Sequence, residues 1–283
     1  MRKFPYLHLL LFVLTFFSTL VVGAGYYSVN IFKEPSGIYK GLPFSLTLMG
    51  ILMSHELSHY LVSRKHDTKA TLPYFLPAPP IISPIGTFGA FIKMKSPIVT
   101  RRALIDIGAS GPIMGFVLSV IASAIGLSYS TVTPVSAIRG GINLSLGDSI
   151  LFSFLTRMAL GTLPESYEVV LHPVAIAGWF GLFVTSLNLI PIGQLDGGHI
   201  AYAFLKDRHK KVSLFLVGIL MVLGLLFWPG WAMWGALMLA LGLNHPPVVY
   251  WEVPLDLKRK LIGILGFIIL VITFIPIPLS VME

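Results

Sequence analysis

The sequence predicts an all-α polytopic membrane protein, with about six transmembrane helices and one short membrane-associated β segment. Three observations predict it. Of 283 residues, 55% are hydrophobic and only 11% are charged, where soluble domains carry about 25% charged residues. The apolar residues fall in long blocks, and several reach the roughly 20 residues that a helix needs to cross the hydrocarbon core. Lys and Arg gather in the stretches between blocks, as they do in the loops of membrane proteins. The formal charge of +8 is therefore a topology signal and not a nucleic-acid one, and no aromatic-interleaved basic motif accompanies it. There is no cysteine, which excludes disulfides and thiol catalysis and leaves His, Asp and Glu for any metal site. The length suits a single integral domain, 1–283.

The first apolar block, residues 4–27, follows Met1-Arg2-Lys3. It is longer than a signal-peptide core of about 7–15 residues and shows no clear cleavage site, so it reads as a retained span. A second block covers 41–62. From 71 to 97 proline and glycine are too dense for a regular helix. There the loose alternation from Phe88 to Lys95 predicts a strand or hairpin at the membrane surface. The third block covers 103–129 and is followed by a polar stretch, 130–147. Residues 150–163 are apolar but short, with Arg157 inside, and predict an interfacial or re-entrant segment. The fourth block covers 172–190 and continues past Pro191 and Gly193 into 196–205. Further spans are expected over 212–228, 231–243 and 261–279.

Loop charge orients these blocks. Arg2, Lys3, Arg64, Lys65, Lys69, Lys93, Lys95, Arg101, Arg102, Lys206, Arg208, Lys210, Lys211, Lys258, Arg259 and Lys260 fall on one side, against Lys33, Lys40 and Arg139 on the other. The first side is expected to be cytoplasmic. The ends of the second and fourth blocks then both point to it.

His55-Glu56-Leu57-Ser58-His59 fits H-E-x-x-H within an apolar helical block. Residues four apart lie on one helix face, so two imidazoles can grip one zinc ion, and the Glu between them can act as general base on metal-bound water. Ionisable groups at such depth are costly and are usually functional. A catalytic zinc takes three protein ligands and keeps one open position. Asp106 begins the third block, and most other carboxylates (Glu34, Asp67, Asp148, Glu165, Glu168, Asp207, Glu252, Asp256 and Glu283) lie in loops. Asp196 lies in membrane-embedded text, after a helix break at Pro191 and Gly193, of the kind tolerated where backbone lines a cavity.

These two segments resemble the site-2 protease family of intramembrane zinc metalloproteases. That family carries H-E-x-x-H on one core helix and N-x-x-P-x-x-x-L-D-G on another, matched here by His55 to His59 and Asn188 to Gly197. The resemblance implies that His55, His59 and Asp196 bind zinc, that Glu56 is the catalytic base, and that Asn188 helps hold substrate or transition state. It implies a three-helix catalytic core within about 41–205, flanked by accessory helices at 4–27 and 212–279. Gly111-Pro112 is like the family's G-P segment, with Gly115 where Asn is common. Residues 86–94 resemble its membrane-associated strand region.

The expected activity is hydrolysis of peptide bonds within or near transmembrane segments of membrane proteins, as in regulated intramembrane proteolysis. The expected partners are a transmembrane protein substrate and the lipid bilayer, with no nucleic acid. The compact chain suggests a prokaryotic cell membrane, with the active site towards the cytoplasm. The principal alternative is a divalent-metal transporter or channel, for which the spans offer few further polar residues. A silent family member acting as a chaperone, or a zinc hydrolase acting on a lipid or prenylated peptide, are lesser alternatives. His199 reads as supporting the site, because a fourth protein ligand would close the open position. His172 and His245, each before a proline at a block edge, carry no assigned role.

Overall fold

The computed structural model describes residues 5–134, 143–164 and 166–282. Arg2, Lys3, Arg139, Glu165 and Glu283, weighed above, lie outside the described residues.

Hydrocarbon offers the backbone no water, so the apolar blocks close their hydrogen bonds within helices. Helix α1 (Tyr6–Gly25) leads through a 3-10 turn at Pro35–Gly41 into α2 (Leu42–Lys65). Strands β1 (Tyr74–Pro77) and β2 (Thr87–Phe91) precede α3 (Arg101–Ser128). Then come β3 (Thr131–Pro134), β4 (Asn143–Leu146), α4 (Ile150–Leu160), β5 (Tyr167–Val170), α5 (Pro173–Leu189) and α6 (Asp196–Leu205). Helices α7 (His209–Leu226), α8 (Pro229–Leu241) and α9 (Leu257–Thr273) and strand β6 (Leu279–Met282) complete the chain. The architecture is the expected mostly helical, polytopic one.

Local sequence explains several boundaries. Thr100 caps α3 by accepting from the Ala103 N–H, and Asp256 caps α9 by accepting from the Arg259 N–H. Pro173 opens α5, where its missing N–H costs nothing. The last span stops earlier than expected: α9 ends at Thr273, Phe274 is extended, and Pro276 and Pro278 follow.

Among the described residues, three helical stretches are long and apolar enough to cross a membrane: Tyr6–Gly25, Arg101–Ser128 and Asp196–Leu226. The third is not straight. Lys206 has φ +52°, and the Gly193 N–H donates to Ser213 Oγ at 3.2 Å, so α7 folds back beside the start of α6. Helix α2 is long enough, at 24 residues, but the H-E-x-x-H segment and Arg64-Lys65 lower its hydropathy. Helix α4 has 11 residues, about 16 Å of rise. Strand β4 directly precedes it and β5 follows it, while β3, earlier in the chain, pairs with β5. At that length α4 falls short of the ~30 Å hydrocarbon core, in keeping with a segment that does not span.

Helix α3 is central and packs against α2, α5, α6 and α9. One core joins Phe44, Leu48 and Leu52 of α2 to Trp179 and Leu182 of α5. A second joins Leu104, Ile105 and Ile107 of α3 to Ile200 and Ala203 of α6. At the basic end, Arg259 holds Asp106 through Nε at 3.1 Å and Nη2 at 2.8 Å, and His66 Nε2 meets the same carboxylate at 2.9 Å. One carboxylate thereby ties α2, α3 and α9.

The β1–β2 hairpin is antiparallel, pairing Tyr74 with Phe91 and Phe75 with Ala90, and an isolated bridge between Ala70 and Met94 extends it. Helix α1 clamps it: Tyr26 Oη donates to Pro84 O at 2.6 Å, His8 Nδ1 to Pro73 O at 3.0 Å, and Ser18 Oγ to Ala78 O. This is the β segment the alternation predicts. The sequence did not reveal β3–β5, nor the pairing of β4 with β6.

Candidate metal centre

Helix α2 places His55 and His59 one turn apart, both about 5% exposed. The helix break between α5 and α6 brings in the third donor. Ile190 is extended, Gly193 has φ +54°, and Asp196 is the first residue of α6. A glycine at 193 takes that left-handed conformation without the cost another residue would meet. His55 Nε2 lies 3.2 Å from Asp196 Oδ2, and His59 Nε2 lies 3.3 Å from Asp196 Oδ1. The two Nε2 atoms are 3.1 Å apart.

These separations fit a metal. A tetrahedral zinc with bonds of about 2.0–2.1 Å needs ligand atoms ~3.3 Å apart. The donor chemistry, two imidazoles and one carboxylate, is that of catalytic zinc sites that keep a fourth position open. His59 Nδ1 donates to the Ile107 carbonyl at 2.7 Å, which fixes the tautomer and leaves Nε2 as the lone-pair donor. Among the described residues, His55, His59 and Asp196 are the group of such side chains that converges closely enough, within 4.8 Å, to hold one ion.

Glu56, 6% exposed, lines the same cavity of about 180 Å³ as the three donors. Its carboxyl lies beside the Ile92 backbone, just beyond β2. Asn188, in the last turn of α5, also lines the cavity, with Nδ2 3.5 Å from His55 Nε2. All five candidate residues read from the sequence thus meet at one cavity. Ala90, Phe91 and Ile92 form its wall on the hairpin side, and Gln194, Leu195 and His199 on the α6 side.

The sequence singles out Gly111-Pro112 and Gly115 in α3 without revealing which site residues lie against them. A Cβ on Gly111 would lie 2.1 Å from His59 Nε2, and one on Gly115 would lie 3.0 Å from His55 Nδ1. Both imidazoles therefore rest on a side-chain-free face of α3. Gly108 continues that face, where a Cβ would meet His199 Cβ at 2.9 Å. The spacing of Gly108, Gly111 and Gly115 is the available signal, since steps of three and four keep residues on one helix face. It does not reveal what lies against that face. His199 is hydrogen-bonded to His245 (Nδ1 to Nε2, 2.6 Å), a pairing no local pattern foretells. His172 caps α5, accepting from the Val174 N–H at 3.3 Å, far along the chain from the centre.

Comparison with known proteins agrees with this geometry. Residues 43–228 match the family model Peptidase family M50. The Arabidopsis thaliana protein named "Probable zinc metalloprotease EGY1, chloroplastic" is 36% identical over 159 residues, covering 56% of this chain and 28% of its own length. "Probable zinc metalloprotease EGY2, chloroplastic" of the same plant is 34% identical over 185 residues, covering 63% of this chain and 32% of its own length. The Oryza sativa subsp. japonica protein named "Probable zinc metalloprotease EGY1, chloroplastic" is 31% identical over 259 residues, with 82% and 43% covered. The chain thus spans between 28% and 43% of the length of these three relatives. No solved structure matches it. The names of these relatives place them in the chloroplast, and the comparisons lend no support to the expected prokaryotic membrane. The family match runs from the start of α2 to just past the end of α7 and takes in both motifs that build the cavity, so the chain belongs to Peptidase family M50, the site-2 protease family of membrane zinc metalloproteases.

Proposed function

We propose that the chain hydrolyses peptide bonds within or beside the membrane-spanning segments of other membrane proteins, as in regulated intramembrane proteolysis. His55, His59 and Asp196 hold zinc through the three convergent donor positions, within a catalytic unit of about 41–205. When bound, the metal would supply Lewis acidity, lowering the pKa of water to about 7 and polarising a carbonyl oxygen. Glu56 takes the proton of the attacking water and passes it to the leaving nitrogen. Asn188 donates through Nδ2 towards the carbonyl oxygen as it gains charge. His59 is held ready by Ile107 and Gly111, which lock its tautomer and its place.

A helical substrate hides its peptide bonds in its own hydrogen bonds and must unwind to be cut. Among the described residues, strand β2 pairs with β1 alone, which leaves its other edge unpaired there. That edge leads to the cavity through Ala90, Phe91 and Ile92, and it receives the unwound segment by strand addition. The two histidines of the centre lie about 9 and 15 Å along α2 from the basic end at Lys65. Water enters from that end, which faces the cytoplasm or its equivalent.

The observation that carries this reading is the convergence of His55, His59 and Asp196 within 4.8 Å. The test is cleavage of a panel of single-span substrates in liposomes, with the cut mapped by mass spectrometry. The native chain is expected to cut within or at the edge of the span, and Glu56→Gln to cut nothing. Equal cutting by both would overturn the assignment of Glu56 and the mechanism with it.

A further inference from the structure

On the α6 side of the cavity, the hydrogen-bonding state of His199 is governed by a neighbour outside the cavity, His245. His245, in the connection between α8 and α9, lies 2.6 Å from the Pro246 carbonyl through Nδ1. A carbonyl can only accept, so Nδ1 carries the proton. Burial, with His199 beside it, lowers the His245 pKa, so the imidazole is neutral and its Nε2 is an acceptor. His199 Nδ1, 2.6 Å from that Nε2, must then be the donor. In its neutral form His199 then has an unprotonated Nε2.

That nitrogen has no hydrogen-bond partner among the described residues, yet it is not among the sealed, unsatisfied polar atoms, and His199 lines the cavity. His199 is also absent from the group of donors that converge within 4.8 Å, so its lone pair is not directed at the same ion. The pair is braced from outside. His245 stacks on Tyr202, with centroids 4.2 Å apart and planes at 13°. Its connection is tied to the segment entering α3 by the Tyr250 N–H to Val99 O bond at 2.8 Å, and to α3 itself by Arg101 lying 4.5 Å over Trp251.

An unwound peptide entering this cavity brings backbone N–H groups that have lost their helical acceptors. In a water-poor site each needs a new one. The β2 edge serves one side of the peptide, while the α6 side of the cavity offers His199. We propose that His199 binds the unwound substrate by accepting a backbone N–H at Nε2, and that His245 is a positioning residue that locks the required tautomer. The proposal rests on the protease reading and adds to it a substrate-binding residue.

The test uses the full zinc-loaded chain in liposomes with one cleavable single-span substrate, KM being expressed as a mole fraction of lipid. His199→Phe is expected to raise KM roughly 5- to 10-fold with little change in kcat, as loss of one hydrogen bond made equally in ground and transition states requires. Zinc content is expected to stay at the native level. His245→Phe should raise KM similarly, and His245→Gln, which keeps an acceptor near the Nε2 position, should restore most of it. Magnetic resonance of isotope-labelled histidine in the native chain, independent of any variant's folding, should show His199 protonated at Nδ1. A native KM in His199→Phe, loss of zinc from that variant, or a His199 protonated at Nε2 would each overturn the proposal. Glu56→Gln runs in parallel: if it cuts as the native chain does, the protease mechanism fails first, whatever His199 does.

Discussion

At the scale of residues, the centre depends on groups that coordinate and on groups that make room. Asp196→Asn replaces a carboxylate oxygen pair by one neutral oxygen, and it is expected to release most of the zinc, read by metal analysis after dialysis. Gly111→Ala tests the other half. A methyl 2.1 Å from His59 Nε2 must displace that imidazole. Disturbing what orients a metal-bound histidine typically costs 10- to 100-fold in affinity, and a loss of about that size is expected in competition with a chelator. Gly50→Ala, also on a core helix but facing open space, should leave affinity unchanged. The donors themselves were legible in the sequence, because H-E-x-x-H and the Asn188 to Gly197 segment each carry their chemistry in fixed spacing. Gly111 and Gly115 were legible only as a glycine-bearing segment of α3, their contacts with the imidazoles were not, and the Ile107 carbonyl was not legible at all. Their part exists only when α3 lies against α2, and a carbonyl leaves no trace in a sequence.

At the scale of elements, the break between α5 and α6 determines where Asp196 stands. Gly193→Ala forces a Cβ into φ +54° and against Gly242 O at 2.8 Å. The left-handed conformation alone costs about 1–2 kcal/mol. The variant is expected to melt several degrees lower in detergent and to bind zinc more weakly, since Asp196 follows three residues later. The cap of α9 gives a pH test. Asp256 accepts from the Arg259 N–H at 2.9 Å and from Nη1 at 2.6 Å, contacts that hold its carboxyl below the usual range. A depressed carboxyl stabilises the fold above its ordinary pKa of about 3.9 and loses that effect as pH falls through the folded value. Asp256→Ala should therefore lower the melting temperature at neutral pH and make little difference in strong acid. Most helices were legible as apolar blocks, and the β1–β2 hairpin as loose alternation. The pairs β3–β5 and β4–β6 were not, since each strand has four residues and its partner lies far away in the chain. The fold-back at Lys206 was likewise hidden within a continuous apolar helical stretch.

At the scale of the whole molecule, the basic stretches are expected to share one face and the metal centre to open towards it. The network of Asp106 with Arg259 and His66 draws the ends of α2, α3 and α9 together at that face. The chain has no cysteine, so single reporters can be introduced without background. Lys65→Cys, Arg208→Cys and Lys258→Cys are expected to label from one side of sealed vesicles, and Lys33→Cys from the other. Labelling of Lys65→Cys and Lys33→Cys from the same side would break the topology. The family match covers the core from α2 to α7, while α1 clamps the hairpin from outside that stretch. The hairpin proposed to receive substrate is therefore held by a helix that the match leaves out.

The most direct measurement is to strip the purified chain of metal, return zinc stepwise, and follow metal binding and substrate cleavage in the same preparation. The account predicts that cleavage rises in proportion to zinc bound and levels off at a single ion per chain, and that Glu56→Gln takes up zinc equally and stays inactive. Cleavage by the metal-free chain, or cleavage by Glu56→Gln at the native rate, would contradict it.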